Sequence, residues 1–461
     1  MDNANKSTKT IAIIGGGVSG TLTAFHLAKQ QTGARIVLIH QEPTVGLGLA
    51  YSTPSLRHLL NVPAGKISAL PHQPDHFLRW LRARHDPSAT PHTFAPRALF
   101  GRYIQHIFTE THTIETQQGQ VTDYRPTPTG ALLTLEDGRR LHANLTVLAL
   151  GNFDPAPLPG IEPAAELAGV YCHNAWRASA YAGLDPHAPV TVIGTGLTAV
   201  DVLLRLRETG HRGIITAVSR HGVFPTRHAP YTPLATSAIP LDTPATAVDY
   251  LRAIRTAIRS GAEWRAAIDS LRDATNQLWL RLPLSERKRF RRHLQRRWDV
   301  VRHRMAPPIA KAVQSELDAG TLVIRQGRVS AVTLQNGQAC VALETHSGTA
   351  AFTTARAINC TGPSLNYRRV HSPLLKKLFA NGIATPGPLG VGLRTNRDGA
   401  LIDNLNRASE NLFTLGPSRQ GTLLESIAIP EIRQQAVRLA QTLAEALQHQ
   451  SEFDEEAEIA S

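Results

Sequence analysis

Several kinds of chemistry lack their parts in this sequence. There are three cysteines in 461 residues, Cys172, Cys340 and Cys360. They are too far apart for a CxxC-type redox pair or a zinc-ligand set. An internal dithiol relay is therefore excluded, and a reducing, cytoplasmic setting is expected. No apolar run reaches the ~20 residues that cross a bilayer as a helix, so no membrane partner is expected. The opening MDNANKSTKT has no apolar stretch of the kind a secretory leader needs. The 20 histidines are scattered and form no H-E-x-x-H pattern. No Ser-His-Asp constellation is visible, and no metal site is expected.

What is present describes a folded protein. Apolar residues make up 42% and charged residues 18%, well outside the range of disordered chains. The length suggests two or three domains. The net charge of +13 permits nucleic-acid binding, but no recognition motif accompanies it. Phosphate-rich small ligands account for such a field as well.

Two glycine turns carry the chemistry. The first is IAIIGGGVSG, with Gly15, Gly16, Gly17, Val18, Ser19 and Gly20 completing G-x-G-x-x-G. It lies between an apolar strand and a helix, and a second strand, ARIVLIH, follows. In such a βαβ unit the first glycine makes the turn and the second admits a pyrophosphate. The third lets the helix pack on the strand. The pyrophosphate then sits on the helix N-terminus, whose free N–H groups favour anions. The acidic residue that takes the ribose hydroxyls is missing from its usual place, where His40 stands. Glu42, two residues on, is the candidate substitute, and His40 itself reads equally as a structural histidine.

The second turn is VTVIGTGLTAVD, with Gly194, Gly196 and Thr198, and with Ala199 at the third glycine position. The following strand ends in Ser219-Arg220. No carboxylate stands there, and an arginine suits a 2′-phosphate. The expected ligand is NADPH rather than NADH, unless Arg220 is an ordinary surface arginine. One dinucleotide would stay bound while the other visits.

Each glycine turn leads to short alternating strands and a closing strand ending in glycine, LTVLALG at Gly151 and ARAINCTG at Gly362. The fold class is therefore α/β, with two Rossmann-like dinucleotide-binding domains. Helical periodicity dominates about 246–317. Within it, Phe290, Leu294, Trp298, Val301 and Met305 form an apolar stripe on a basic helix over 285–305. That helix reads as a docked helix with a solvated arginine face, or as an anion-facing one, with a nucleic-acid or membrane-surface role the remaining alternative. A long helix is expected from about Pro430, and the acidic end SEFDEEAEIAS is expected to fray.

These segments, together with GLGLAYSTPSLRHLLNVPAGKISALP, FAPRALFGRYI, SRHGVFP, RRWDVVRHRMAPP and LGPSRQGTLLESIAIPEIRQQA, resemble a bacterial FAD/NAD(P)-binding flavoprotein family. That family includes FAD-dependent urate hydroxylase and related N-hydroxylating monooxygenases. The resemblance spans nearly the whole chain. It implies an FAD domain built from residues 1–160 and 363–461. An NADPH domain is inserted at 185–362, with its own helical insertion. FAD and NADPH would be the cofactors, and molecular oxygen and a small molecule the partners. The implied reaction is hydroxylation through a flavin hydroperoxide. Gly416 would border the flavin, although Pro417 stands where many relatives carry an aspartate for the ribitol. Asn61 and Lys66 would face flavin or substrate, or stabilise their loop. An NADPH-dependent reductase serving an external acceptor and a non-catalytic flavin-binding regulator are the alternatives.

Overall fold

The computed structural model describes residues 8–459. Met1–Ser7, on which the expectation about a leader partly rests, and the last two residues of the acidic end lie outside the described residues. In chain order the strands are β1 (Thr10–Ile14), β2 (Arg35–His40), β3 (Ile114–Gln118), β4 (Val121–Thr127), β5 (Gly130–Leu135), β6 (Arg140–Ala143), β7 (Leu145–Leu148), β8 (Tyr171–Cys172), β9 (Val190–Ile193), β10 (Ile215–Ser219), β11 (Leu322–Gln326), β12 (Arg328–Gln335), β13 (Gln338–Thr345), β14 (Gly348–Thr354), β15 (Arg356–Asn359), β16 (Ala400–Ile402) and β17 (Ala408–Thr414).

The chain divides into two compact units. The first takes residues up to Pro54, Val62–Asn152 and Leu365 onward. The second takes Ser55–Asn61 and Phe153–Ser364. The short Ser55–Asn61 stretch lies inside the first expected segment yet packs with the second unit. His58 is buried there, and its Nε2 donates to the Asp201 carbonyl at 3.0 Å.

The first unit holds a six-stranded sheet in the order β16-β17-β7-β1-β2-β3. All its neighbours are parallel except β16 against β17. The second unit holds a five-stranded sheet, β11-β10-β9-β15-β8, with every pair parallel. Every residue of β1 and of β9 is buried. Helices cover both faces of a parallel sheet, so its central strands become unbroken apolar runs instead of alternating ones. Each unit adds a three-stranded antiparallel sheet, β4-β5-β6 in one and β12-β13-β14 in the other. Asp137 and Gly138 turn β5 into β6, with Gly138 at φ +86°.

The C-terminal helix runs Ile429–Ile459. The acidic end is therefore helical as far as the described backbone goes, where fraying was expected. The basic segment is not one helix. It splits into Leu284–His293 and Gln295–Arg302, with Leu294 between them at φ −117° and ψ −25°. Met305 then leaves the stripe altogether and pairs in a bridge with Arg227.

Candidate functional site: two matched glycine cradles

The two units build the same turn bond for bond. The Gly15 N–H donates to the Ile39 carbonyl at 2.8 Å, and the Gly194 N–H to the Val218 carbonyl at 2.7 Å. On the other side Ala149 donates to the Ile14 carbonyl at 2.8 Å, and Cys360 to the Ile193 carbonyl at 2.9 Å. Past the second strand Gly119 donates to the His40 carbonyl and Gly327 to the Ser219 carbonyl, at 2.8 and 3.0 Å.

Gly15 and Gly194 sit at φ +120° and +128°. A Cβ on Gly15 would lie 2.1 Å from the Ala149 carbonyl oxygen, and one on Gly194 2.5 Å from that of Cys360. Both positions therefore require glycine on two counts. Gly17 and Gly196 differ in kind. A Cβ on Gly17 would meet only Gly48, at 3.5 Å, and one on Gly196 would meet nothing within 4 Å. Their backbone faces are open, as a pyrophosphate seat needs.

The helices that follow, Val18–Ala28 and Leu197–Glu208, have no side-chain cap at their N-termini and no acidic residue in the first turn. Their leading N–H groups and dipoles are left to an anion. Ser19 is buried in the first of these turns, and Thr198 is half-buried in the second. Gly151 and Gly362 close the opposing strands at φ +69° and +86°, each with open space where a Cβ would stand.

The first cradle has a further limb. After β17 the chain turns at Gly416 (φ +70°), where a Cβ would come within 2.6 Å of Ser19 Oγ. The Gly416 N–H donates to Gln435 Oε1 at 3.0 Å. Gln435 Nε2 and the fully buried Ser426 Oγ find no partner among the described residues. Buried polar atoms of this kind normally have one, so this limb fits a bound polar cofactor. Pro417 follows Gly416 directly, and two residues on stands a buried Arg419. Its Nη2 donates to the carbonyls of Asn396 and Arg397 at 3.1 and 2.8 Å. Burial lowers the Arg419 pKa to about 10. Sequence reading did not single out this residue, since nothing in the sequence marks it as buried.

The remaining candidates scatter. His40 is half-buried and its Nδ1 donates to the Glu42 carbonyl at 2.7 Å, while Glu42 itself is exposed at the end of β2. Asn61 belongs to the second unit, where its carbonyl accepts from His228 Nε2 at 2.9 Å. Lys66 belongs to the first unit and is exposed, so the structure gives the two no shared unit. Burial, with the Arg304 charge adding to it, lowers the His228 pKa to about 4. Arg304 is itself almost fully buried and pairs with Asp269, which also accepts from the Tyr231 hydroxyl.

Arg220 follows β10 directly and is exposed. What the spacing could not show is Arg296. From the second basic helix its Nη2 donates to Thr195 Oγ1 at 2.9 Å, within the second glycine turn itself. The only sequence signal for it was the anion-facing reading of the basic segment. Burial raises the pKa of the Cys172 and Cys360 thiols, so neither is poised as a nucleophile. Among the described residues no group of three His, Cys, Asp or Glu side chains could hold a metal ion. No described helix is long and apolar enough to cross a membrane.

Residues 12–153 match a family model described as FAD-NAD(P)-binding. An uncharacterized protein of Escherichia coli (strain K12), YdhS, is 28% identical over 236 residues, 47% of this chain and 42% of that protein. The matched stretch thus spans less than half of that relative. Among solved structures, the cadaverine monooxygenase DfoA of Erwinia amylovora, bound to FAD, superposes with a TM-score of 0.64 at 13% identity, covering 95% of this chain and 94% of that one. The ornithine N-hydroxylase KtzI of Kutzneria sp. 744, described with reduced FAD, NADP+ and L-ornithine, gives 0.62 at 13% identity, covering 94% and 98%. These likenesses establish an α/β flavoprotein-type fold over nearly the full length, with an FAD/NAD(P)-binding domain in the first unit.

Proposed function

We propose that this protein is an FAD- and NADPH-dependent monooxygenase that hydroxylates a small molecule. FAD is held in the first cradle and NADPH is received by the second. The observation that carries the reading is the pair of matched cradles with unequal surroundings. The first is closed by a third limb at Gly416, Ser19, Ser426 and Gln435, which suits a resident cofactor. The second ends in arginine where a carboxylate would repel a phosphate, which suits a phosphorylated dinucleotide that comes and goes. The likeness to N-hydroxylating enzymes supports hydroxylation within this class.

The chemistry supplied by a bound flavin is acceptance of a hydride and, once reduced, reaction with oxygen. The part of this chain is to bind and orient. Gly15, Gly16, Gly17, Ser19, Gly20, Gly151 and Gly416 form the FAD seat, with Glu42 as the ribose acceptor. Gly194, Gly196, Thr198, Gly362 and Arg220 form the NADPH seat. Lys66, in the first unit, is the polar candidate for contact with flavin or substrate. The N-terminus of the Ile429–Ile459 helix favours negative charge nearby.

The test is stopped-flow spectroscopy. The protein is reduced anaerobically with NADPH and then mixed with oxygenated buffer, with amines, amino acids and purines as trial substrates. The expected result is a transient absorption distinct from both the reduced and the oxidised chromophore, followed by oxygenated product. Fast turnover with an artificial acceptor, no transient and no oxygenated product would replace this reading with that of a reductase.

A further inference from the structure

The end of β10 gathers two guanidinium groups that the rest of the molecule leaves underused. Arg220 follows the strand directly and is exposed; among the described residues its side chain meets no acceptor, and its carbonyl accepts from Gln326 Nε2 at 3.1 Å. Arg296 arrives from the helix Gln295–Arg302 and is half-buried. Its Nη2 donates to Thr195 Oγ1 at 2.9 Å, to the Thr195 carbonyl at 3.3 Å and to the Val223 carbonyl. Its Nε and Nη1 meet no acceptor among the described residues. The Thr195 hydroxyl in turn lies 2.9 Å from Ser219 Oγ, so Arg296 stands over both the glycine turn and the last residue of β10.

The electrostatics favour an anion. Burial, more than any charge, destabilises the Arg296 cation; Asp299 opposes that effect and Arg220 adds to it. Asp299 is the acidic side chain that offsets Arg296, and it accepts from Gln295 Nε2 at 2.8 Å. Two cations within each other's field are held together by the fold, with a neutral Thr195–Ser219 pair below them. An anion arriving between them would be attracted by both and would relieve their repulsion.

We propose that Arg296 is a specificity-determining residue of the second cradle. With Arg220 it grips the 2′-phosphate of the incoming dinucleotide, so the basic segment exists in part to deliver this side chain. The proposal rests on the reading of the second cradle as a dinucleotide seat. It differs from a bracing role, in which Arg296 merely ties Thr195 to Val223. A brace would serve any dinucleotide equally, whereas a phosphate grip serves only the one that carries the phosphate.

Calorimetric titration of the flavin-containing protein with NADP+ and with NAD+ separates these roles, using Arg220→Ala, Arg296→Ala, Arg296→Lys and Thr195→Val, each checked for an unchanged melting temperature. Arg296→Ala and Arg220→Ala are each expected to weaken NADP+ by roughly tenfold, as loss of a charge-assisted contact does, and to leave NAD+ within about twofold. Arg296→Lys should keep part of the NADP+ affinity, because it retains the charge but not the fork. Thr195→Val should leave the NADP+ to NAD+ ratio unchanged. Equal losses for the two nucleotides in Arg296→Ala, or no loss for either, would overturn the proposal. Unmodified protein that binds NAD+ and NADP+ alike would overturn it while leaving the cradle a dinucleotide seat. Unmodified protein that binds neither would remove the seat itself, and the proposal with it.

Discussion

In the first unit Gly16 lies under His40 so closely that a Cβ on it would come within 2.6 Å of the His40 Cβ. In the second unit the matching residue is Thr195, and beneath the matching Ser219 it has room for a whole side chain and a 2.9 Å hydroxyl contact. The third loop position repeats the contrast. A Cβ on Gly20 would lie 1.9 Å from the Gly15 carbonyl oxygen, yet Ala199 carries one and is packed at 1% exposure. Two turns with the same hydrogen bonds therefore differ in which glycines they need. Only the first glycine is dictated by the turn, through its positive φ and the carbonyl of the opposing strand. The others answer to the neighbour across the gap, His40 or Ser219, and to how closely the helix sits.

The largest effects should come from treating the two turns alike. Gly15→Val and Gly194→Val each place a side chain on a carbonyl oxygen at a positive φ. Strain and overpacking together should cost about 3–5 kcal/mol, seen as a fall in melting temperature in either unit. Gly17→Val and Gly196→Val meet no such obstacle and should keep the fold. The first should emerge colourless, and the second should stay yellow but fail to be reduced by NADPH. Flavin retained at full stoichiometry in Gly17→Val would break the assignment of the first cradle.

Acid should weaken both units through a half-buried histidine in each. Burial, foremost, lowers His26 in the first unit and His228 in the second to about 4 from 6.5. The unfolded chain then binds more protons than the folded one as pH falls below about 6.5. Each neutral histidine leaves stability intact above that pH, and the loss is complete near pH 4. At 1.36 kcal/mol per pKa unit the loss is up to about 3 kcal/mol for each. Urea titrations at pH 7 and pH 5 should show a shallower acid loss in His26→Leu and in His228→Gln. An unchanged pH dependence in both variants would count against this origin.

The smallest and most direct test exchanges the turns' second positions. Gly16→Thr should cost about 1–3 kcal/mol, and adding His40→Ser should recover most of it. A coupling above about 0.5 kcal/mol in the double-mutant cycle would show that the residue at the end of β2 sets the requirement at Gly16. Additive losses would show that it does not.

Much of this arrangement was legible in advance. Unbroken apolar runs before Gly15 and Gly194 identify buried parallel strands, because only a sheet covered on both faces tolerates them. The glycine spacing, the tandem pattern of turn, strands and closing glycine, and the long C-terminal helix follow from local rules of the same sort. These are properties of a few consecutive residues, and sequence order preserves them. The contacts that give the cradles their character join residues far apart in the chain. Ser19 meets Gly416, Gln435 holds Gly416, and Arg296 reaches Thr195 across about a hundred positions. The break at Leu294, which turned one expected helix into two, and the packing of Ser55–Asn61 with the second unit are of this second kind. No periodicity records them, since side chains that meet only after the sheets have formed leave no spacing in the sequence, and tertiary structure alone decided which arginine stands over the second turn.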